Sequence, residues 1–216
     1  MLSPILKTGL FSALLILAGC QSAYYGAMEK VGIHKRDIMV DRVGDAKDSQ
    51  NEAKEKFKSA LEQFQFMFGR GDEALADKYE RLNDAYEESE SAAQEVTERI
   101  EKVESVSEAL FEEWQHELGL YSSAALRRDS ERKLSETKAK YKRMMSAMRN
   151  AERKMQPVLS ALRDQVLYLK HNLNARAIDG LKGELGSVKQ NVAALIRNME
   201  KSIAESEAFI AQIKGS

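Results

Sequence analysis

A glutamate and a histidine three residues apart on a helix can both bind one metal ion, and Glu113 and His116 have this spacing. In helical bundles such a pair supplies two ligands, but a complete site needs a second pair and two further glutamates. The chain has 3 histidines, and neither His34 nor His171 follows a glutamate by three residues. We therefore predict no metal site, and we expect His116 to lie at the solvated end of a helical hairpin.

Four methionines close together, Met144, Met145, Met148 and Met155, form a second candidate site, because thioethers bind Cu(I). Three of them, Met145, Met148 and Met155, recur at heptad spacing. Flexible methionine side chains fill irregular gaps in helical cores. The spacing therefore favours core packing, and we predict no cofactor.

Enzyme chemistry finds no further support in the residue types. The single cysteine excludes an intramolecular disulfide, and no Ser/His/Asp or Cys/His arrangement can be assembled. The glycines at 180, 183 and 186 follow no strand, so they do not form a dinucleotide-binding turn. We predict no catalytic residues and expect a protein that is not an enzyme.

The first residues of the chain have the composition of a secretory signal. One positive charge, Lys7, precedes a weakly polar to apolar run over residues 8–19. A membrane-spanning helix needs roughly 20 apolar residues, whereas the core of a signal peptide needs only about 7 to 15. We predict that residues 1–19 are a signal peptide.

A motif for lipid attachment ends this run. The sequence Leu17-Ala18-Gly19-Cys20 resembles the bacterial lipobox, which is cleaved before a cysteine that then carries acyl chains. Several acyl chains anchor a protein stably, since each buried methylene contributes about 0.8 kcal/mol. We predict lipidation at Cys20 and membrane contact through that lipid.

The residues that follow Cys20 bear on the location of the protein. In bacterial lipoproteins an aspartate directly after the cysteine often signals retention in the inner membrane, but here Gln21 and Ser22 follow. We expect an outer-membrane lipoprotein that faces the periplasm. Tyr24 and Tyr25 suit either the lipid interface, where amphipathic rings are favoured, or ordinary packing.

The rest of the chain has the composition of long helices, with 31% charged residues and only 2 prolines. We predict a lipidated tether over residues 20–45 that becomes a helix, and a helical bundle over residues 46–216. Apolar residues at helical spacing predict the first helix over roughly 36–68.

A sustained heptad pattern predicts the second helix. Asp72 is suited to cap it, because a carboxylate can accept an orphan backbone N–H, and no glycine or proline occurs between Asp72 and Leu118. Apolar steps of four and three continue without a slip, which predicts one long helix with a single seam. The seam positions are Leu75, Tyr79, Leu82, Tyr86, Ser89, Ala93, Val96, Ile100, Val103, Ser107, Leu110 and Trp114.

Two further apolar runs complete the predicted fold. Residues 119–123 form a turn, the next run continues to Leu173, and Pro157 should kink its helix. The register is lost around 171–174, and a last run from Ile178 to Ile213 has a broad apolar face typical of a bundle. The predicted fold is all-α, an elongated antiparallel helical bundle or coiled coil of three to four long helices.

Charge predicts how the two longest helices pair. Residues 72–117 contain 16 acidic and 4 basic residues, whereas residues 127–154 contain 11 basic and 4 acidic residues. Folding about the turn places the opposite fields side by side, which favours an antiparallel pair. Internal pairing and a net charge of −1 both argue against nucleic acid as a partner.

A turn centred near residues 120 and 121 also predicts the register of this pair. Residues whose numbers sum to about 241 should lie opposite one another, within one helical turn. Ile100 should then lie near Tyr141, and Leu82 near Leu159.

Three stretches carry a resemblance to a known family. They are YYGAMEK at 24–30, ALFEEW at 109–114 and VLYLKHNLNA at 166–175. Through them, essentially all of the chain after Cys20 resembles a family of uncharacterised proteobacterial lipoproteins classified as a domain of unknown function. The resemblance implies no activity.

Two classes of function fit these observations. The first is a lipid-anchored, non-enzymatic coiled-coil protein with a structural or partner-binding role in the cell envelope, where an envelope protein of unknown identity is the partner. The second is a ligand- or metal-binding helical bundle lipoprotein. Self-association into a homo-oligomer fits either class.

Overall fold

The computed structural model of the protein describes residues 24, 25, 27–29, 32–69, 74–172 and 174–215. Within these residues the structure is almost wholly helical and has no strand, which confirms the predicted all-α fold. Four long helices and one short helix follow Gly32. They are α1 (Lys35–Phe66), α2 (Leu75–Glu117), α3 (Ala124–His171), the short α4 (Ala175–Leu181) and α5 (Leu185–Gly215).

The long helices form a four-helix bundle. Helix α1 packs against α2 and α5, and α3 packs against the same two helices. Lys35 near the start of α1 pairs with Glu113 near the end of α2, and Lys56 pairs with Glu88, so these helices are antiparallel. Helices joined by short connections pack antiparallel, and the long helices of this bundle follow that rule.

The seam predicted for α2 forms its buried side. Every seam position from Leu82 to Leu110 is buried, and the flanking positions Leu75, Tyr79 and Trp114 are partly buried. Met144, Met145, Met148 and Met155 are buried as well, which confirms core packing for the methionine cluster. One heptad pattern thus accounts for most of the contribution of α2 to the core.

The bundle begins earlier in the chain than the predicted boundary at residue 46. Helix α1 starts at Lys35, and its first turns bury Ile38, Met39 and Val43, so residues 35–45 belong to the bundle and not to a tether. Tyr25 is also buried, and its hydroxyl lies 3.0 Å from the hydroxyl of Ser105. Tyr25 therefore has a packing role, whereas Tyr24 remains exposed.

A tight turn joins the N-terminal helical residues to α1. The backbone N–H of Gly32 donates to the carbonyl of Glu29 over 2.9 Å, and Gly32 has a φ of 84°. Side chains rarely tolerate this left-handed conformation, so glycine is required here. The turn lets the N-terminal residues fold back along α2.

Two local predictions at helix ends have different outcomes. Helix α2 begins at Leu75 after Ala74, and the predicted cap Asp72 lies outside the described residues. The predicted turn at 119–123 is confirmed: a 3-10 turn, Leu118–Leu120, ends α2, and the Ser123 hydroxyl accepts the backbone N–H of Leu126 over 3.4 Å.

Pro157 does not end its helix. Helix α3 continues through it from Ala124 to His171, and the proline is exposed. A proline on the solvent side removes a backbone donor where water can satisfy the freed carbonyl, so the helix persists.

The predicted register of α2 and α3 is wrong. Tyr141 contacts Phe111, with ring centroids 5.3 Å apart, and Arg149 hydrogen-bonds to Glu104. Ile100 is therefore about 16 Å along α2 from the level of Tyr141. The start of α3 overhangs α2, since Leu118 at the end of α2 lies beside Leu134 and not beside Ala124. A turn centred on residue 120 does not account for this overhang.

Candidate functional site

A well-developed concave site lies where the start of α3 and the turn before it extend beyond the other three long helices. Tyr141 of α3 lies beside Phe209 of α5, with ring centroids 6.4 Å apart. From that level α3 extends about 25 Å back to Ala124, but α5 continues for only about 9 Å to Gly215. Helix α2 also ends only about 9 Å beyond this level, so the start of α3 is uncovered and a cleft opens beside it.

This hairpin cleft has a volume of about 780 Å³. Sites for small molecules have volumes of about 300 to 1,000 Å³ and combine an apolar lining with a few polar groups. Both kinds of residue occur here. The apolar lining comes from Leu110, Trp114, Tyr121, Leu126 and Ile213, and the charged residues of the rim include Arg36, Glu117, Asp129, Lys133, Glu136 and Lys140.

The chain's one tryptophan is held in place in this cleft. The Trp114 indole N–H donates to the hydroxyl of Ser130 over 2.8 Å, and Ser130 is buried. This bond joins the end of α2 to the start of α3. It leaves the face of the indole ring as a fixed aromatic surface, which suits contact with an apolar group.

A partly buried ion-pair cluster supports the same end of the bundle. The Lys35 ammonium donates to carboxylate oxygens of Glu29 at 2.6 Å and Glu113 at 2.9 Å. Burial opposes the charge on Lys35, but these two hydrogen bonds outweigh burial and raise the pKa of Lys35. The hydrogen bond from Lys35 lowers the pKa of Glu29. The cluster ties the N-terminal residues and α1 to the end of α2.

The two members of the candidate metal-binding pair have different surroundings. Glu113 is engaged by Lys35, and His116 is exposed at the end of α2, as predicted. Among the described residues, no group of three or more His, Cys, Asp or Glu side chains is placed to hold a metal ion. Cys20, the predicted lipidation site, lies outside the described residues.

Sequence patterns did not reveal the hairpin cleft. It depends on helix lengths and register, and its residues come from α1, α2, α3, α5 and the hairpin turn. One feature of the sequence could have indicated the cleft. Turns usually consist of polar residues, but this turn and the residues after it include the large apolar residues Leu120, Tyr121 and Leu126. All three are exposed.

Comparison with known proteins gives a family but no activity. No helix among the described residues has the length and apolar character needed to span a bilayer. A search of curated proteins finds no match. The sequence profile of a family described as protein of unknown function, DUF2959, matches residues 24–213, which include all the long helices except the last residues of α5. The chain belongs to this family of proteins of unknown function.

Proposed function

We propose that this protein is a lipid-anchored, non-enzymatic component of the bacterial cell envelope with a structural or partner-binding role. The observation that carries the proposal is the position of the only cysteine, Cys20, at the end of a lipobox-like motif. In this proposal residues 1–19 are removed as a signal peptide, and the protein faces the periplasm from the outer membrane.

The short distance from Cys20 to the bundle determines which part of the protein the proposed lipid would hold at the membrane. Tyr25, which packs against Ser105 of α2, follows Cys20 by only five residues. Five residues reach at most about 18 Å. A lipid on Cys20 would therefore hold the side of the bundle close to the membrane surface.

Lipidation is tested by replacing the cysteine. Cys20→Ser should abolish the lipid mass on the protein and release it from the membrane fraction, because the acyl chains are the proposed anchor. Ser22→Ala is the matched control and should remain in the membrane fraction. A Cys20→Ser protein that keeps a lipid mass and stays in the membrane would contradict the proposal.

We place partner binding at the hairpin cleft, where Trp114 and Leu126 offer an apolar surface with a charged rim. A photo-crosslinking residue at Leu126 should capture an envelope protein in intact cells. The same residue at Leu167, which is exposed near the other end of α3, is the control. Equal capture at both positions would argue against the cleft as the binding site.

A ligand-binding bundle is the second candidate, and the volume of the cleft favours it. Extraction of the purified protein with organic solvent, followed by mass spectrometry, would reveal a small molecule that remains bound. Elemental analysis tests the metal-binding form of this alternative. A stoichiometric ligand or metal would favour this class over the structural role.

A further inference from the structure

The outer side of the α2–α3 hairpin, which we call the hairpin face, carries two rows of opposite charge. The basic row on α3 consists of Lys138, Lys142 and Arg153, and the acidic row on α2 consists of Glu101, Glu108 and Glu112. All six residues are exposed. Successive members are 4, 7 or 11 residues apart, and each of these spacings keeps a row on one side of its helix.

An apolar floor lies between these rows. Phe111, Tyr141 and Met145 line a shallow groove of about 570 Å³ together with members of the basic row. A second groove, also of about 570 Å³, lies between Phe111, Lys138 and the acidic row. Phe111 and Met145 are already buried in the bundle, so the charged rows supply most of the surface that a partner could contact.

Few of the charged side chains on the hairpin face pair with one another within the chain. Arg149 pairs with Glu104, and this is the ion pair that joins α2 to α3 in the part of the chain that the structure describes. The pKa of Arg149 is raised, first because of its hydrogen bonds to Glu104. The members of the two rows are exposed, and the Lys138 ammonium also lies 5.6 Å from the centroid of the Phe111 ring. The sequence predicted that opposite charges hold α2 and α3 together. Only some of these charges form close ion pairs.

The two adjacent rows select the kind of partner. A nucleic acid or an anionic membrane that lies on the basic row would also approach the acidic row. Neighbouring helices are about 8 to 10 Å apart, which is close to the screening length at physiological salt. The acidic row would then repel the partner. A partner that carries both signs avoids this repulsion, and a second copy of this chain carries both.

We propose that the hairpin face is a dimer interface, in which a second copy docks about a two-fold axis parallel to the helices. Such an axis preserves the level of each residue along the bundle and places α2 of one copy against α3 of the other. The contact of Phe111 with Tyr141 sets Lys138 and Lys142 roughly level with Glu112 and Glu108. These lysines would therefore face these glutamates across the interface, twice per dimer.

Charge repulsion disfavours the other face-to-face arrangement of two copies. A two-fold axis perpendicular to the helices would place α2 against α2 and α3 against α3, so like charges would face each other. Like-charge juxtaposition is strongly unfavourable at an interface. The rows span about 16 Å on α2 and about 22 Å on α3, so a strip about 20 Å wide offers about 400 Å² per copy. This area is small for a specific interface, so charge pairing must supply most of the attraction.

Charge reversal tests this proposal independently of the lipid anchor. The protein is residues 20–216 with Cys20→Ser, which include every described residue. One variant carries Lys138→Glu and Lys142→Glu, and the other carries Glu108→Lys and Glu112→Lys. Analytical ultracentrifugation measures association at low and high salt, and circular dichroism verifies that both variants are folded.

The unsubstituted protein should form dimers that weaken as salt increases. Each variant alone should associate at least about tenfold more weakly, because like charges then face each other in both halves of the interface. An equimolar mixture should recover dimers, since every altered row then faces an opposite charge. A protein that is monomeric at low salt, or a mixture that fails to recover, would overturn the proposal. So would a monomer that binds vesicles of anionic phospholipid through Lys138 and Lys142.

Discussion

Gln50 of α1 is fully buried, and neither its amide oxygen nor its amide nitrogen has a hydrogen-bond partner among the described residues. A buried polar group without a partner costs about 1 to 3 kcal/mol, because it has lost its hydrogen bonds to water. The other buried polar side chains of the core include serines that bond within their own helices, such as Ser89 to the carbonyl of Ala85. Gln50 therefore lowers the free energy of unfolding of the bundle.

Replacing Gln50 with methionine, which has a similar shape, should raise the free energy of unfolding by about 1 to 3 kcal/mol. Urea denaturation measures this change. Gln94→Met at an exposed position of α2 is the control and should change stability by less than about 0.5 kcal/mol. A loss of stability in Gln50→Met would mean that the amide is hydrogen-bonded in the folded protein.

Tyr86 couples stability to alkaline pH. Burial and a 2.7 Å hydrogen bond donated to Glu90 raise the pKa of this phenol to about 12. The unfolded chain releases the proton near pH 10, so the folded state binds more protons between about pH 10 and 12. The contribution of Tyr86 to stability is therefore present below pH 10 and decreases as the pH rises through this range.

Tyr86→Phe should make the loss of stability between pH 10 and 12 less steep, because phenylalanine cannot ionise. Thermal unfolding at a series of pH values compares the two proteins. Tyr24→Phe, on an exposed ring, controls for the removal of a tyrosine hydroxyl. Parallel curves for Tyr86→Phe and the unsubstituted protein would show that the pKa of Tyr86 does not differ between the two states.

At the scale of helices, the seam of α2 is the best predicted feature of the molecule. Val96 and Ile100 lie in its middle and are fully buried. Heptad spacing identifies such positions directly, because the side of a helix that is buried is determined by which residues are apolar. The ends of α1 were predicted within two residues for the same reason.

Ile100→Asp should destabilise the bundle by about 3 to 5 kcal/mol, because it places an unpaired charge in the core. Ser91→Asp, on the exposed side of the same helix, should have little effect. Denaturant unfolding of both variants measures the difference. Similar stability of the two variants would contradict the assignment of Ile100 to the core.

The register of α2 against α3 could not be predicted, since both helices have long seams that match over several heptad shifts. The observed register depends on how far the chain travels between Leu118 and the first contact of α3. The conformation of the turn determines that distance, and the spacing of apolar residues along the helices carries no information about it. The hairpin cleft and the dimer interface depend on this register, so neither could be located from the sequence.

Cysteine pairs distinguish the two registers. In a Cys20→Ser background, cysteines at Phe111 and Tyr141 should be joined within one chain by a short bifunctional maleimide, because these side chains are in contact. Cysteines at Ile100 and Tyr141 should not be joined, since they are about 16 Å apart along the bundle. Mass spectrometry of proteolytic fragments identifies the products. Efficient joining of the second pair alone would restore the register predicted from the sequence.

At the scale of the whole molecule, unequal helix lengths account for both its shape and its site. Helix α3 has 48 residues and α2 has 43, whereas α1 and α5 have 32 and 31. At the end where α3 begins, α2 and α5 both stop about 9 Å beyond the level of Tyr141, whereas α3 extends about 25 Å. The start of α3 and the turn before it therefore project from this end, with Leu120 and Leu126 exposed and with the cleft at their base.

This shape predicts the solution scattering of the chain with Cys20→Ser and without residues 1–19. A compact globule of this length has a radius of gyration near 16 Å. Helix α3 alone is about 72 Å long, and a thin rod of that length has a radius of gyration of about 21 Å. Small-angle X-ray scattering at high ionic strength, where dimers are suppressed, should give a value above 20 Å or so. A value near 16 Å would mean that α3 folds back on itself in solution, and the overhang that forms the cleft would then be absent.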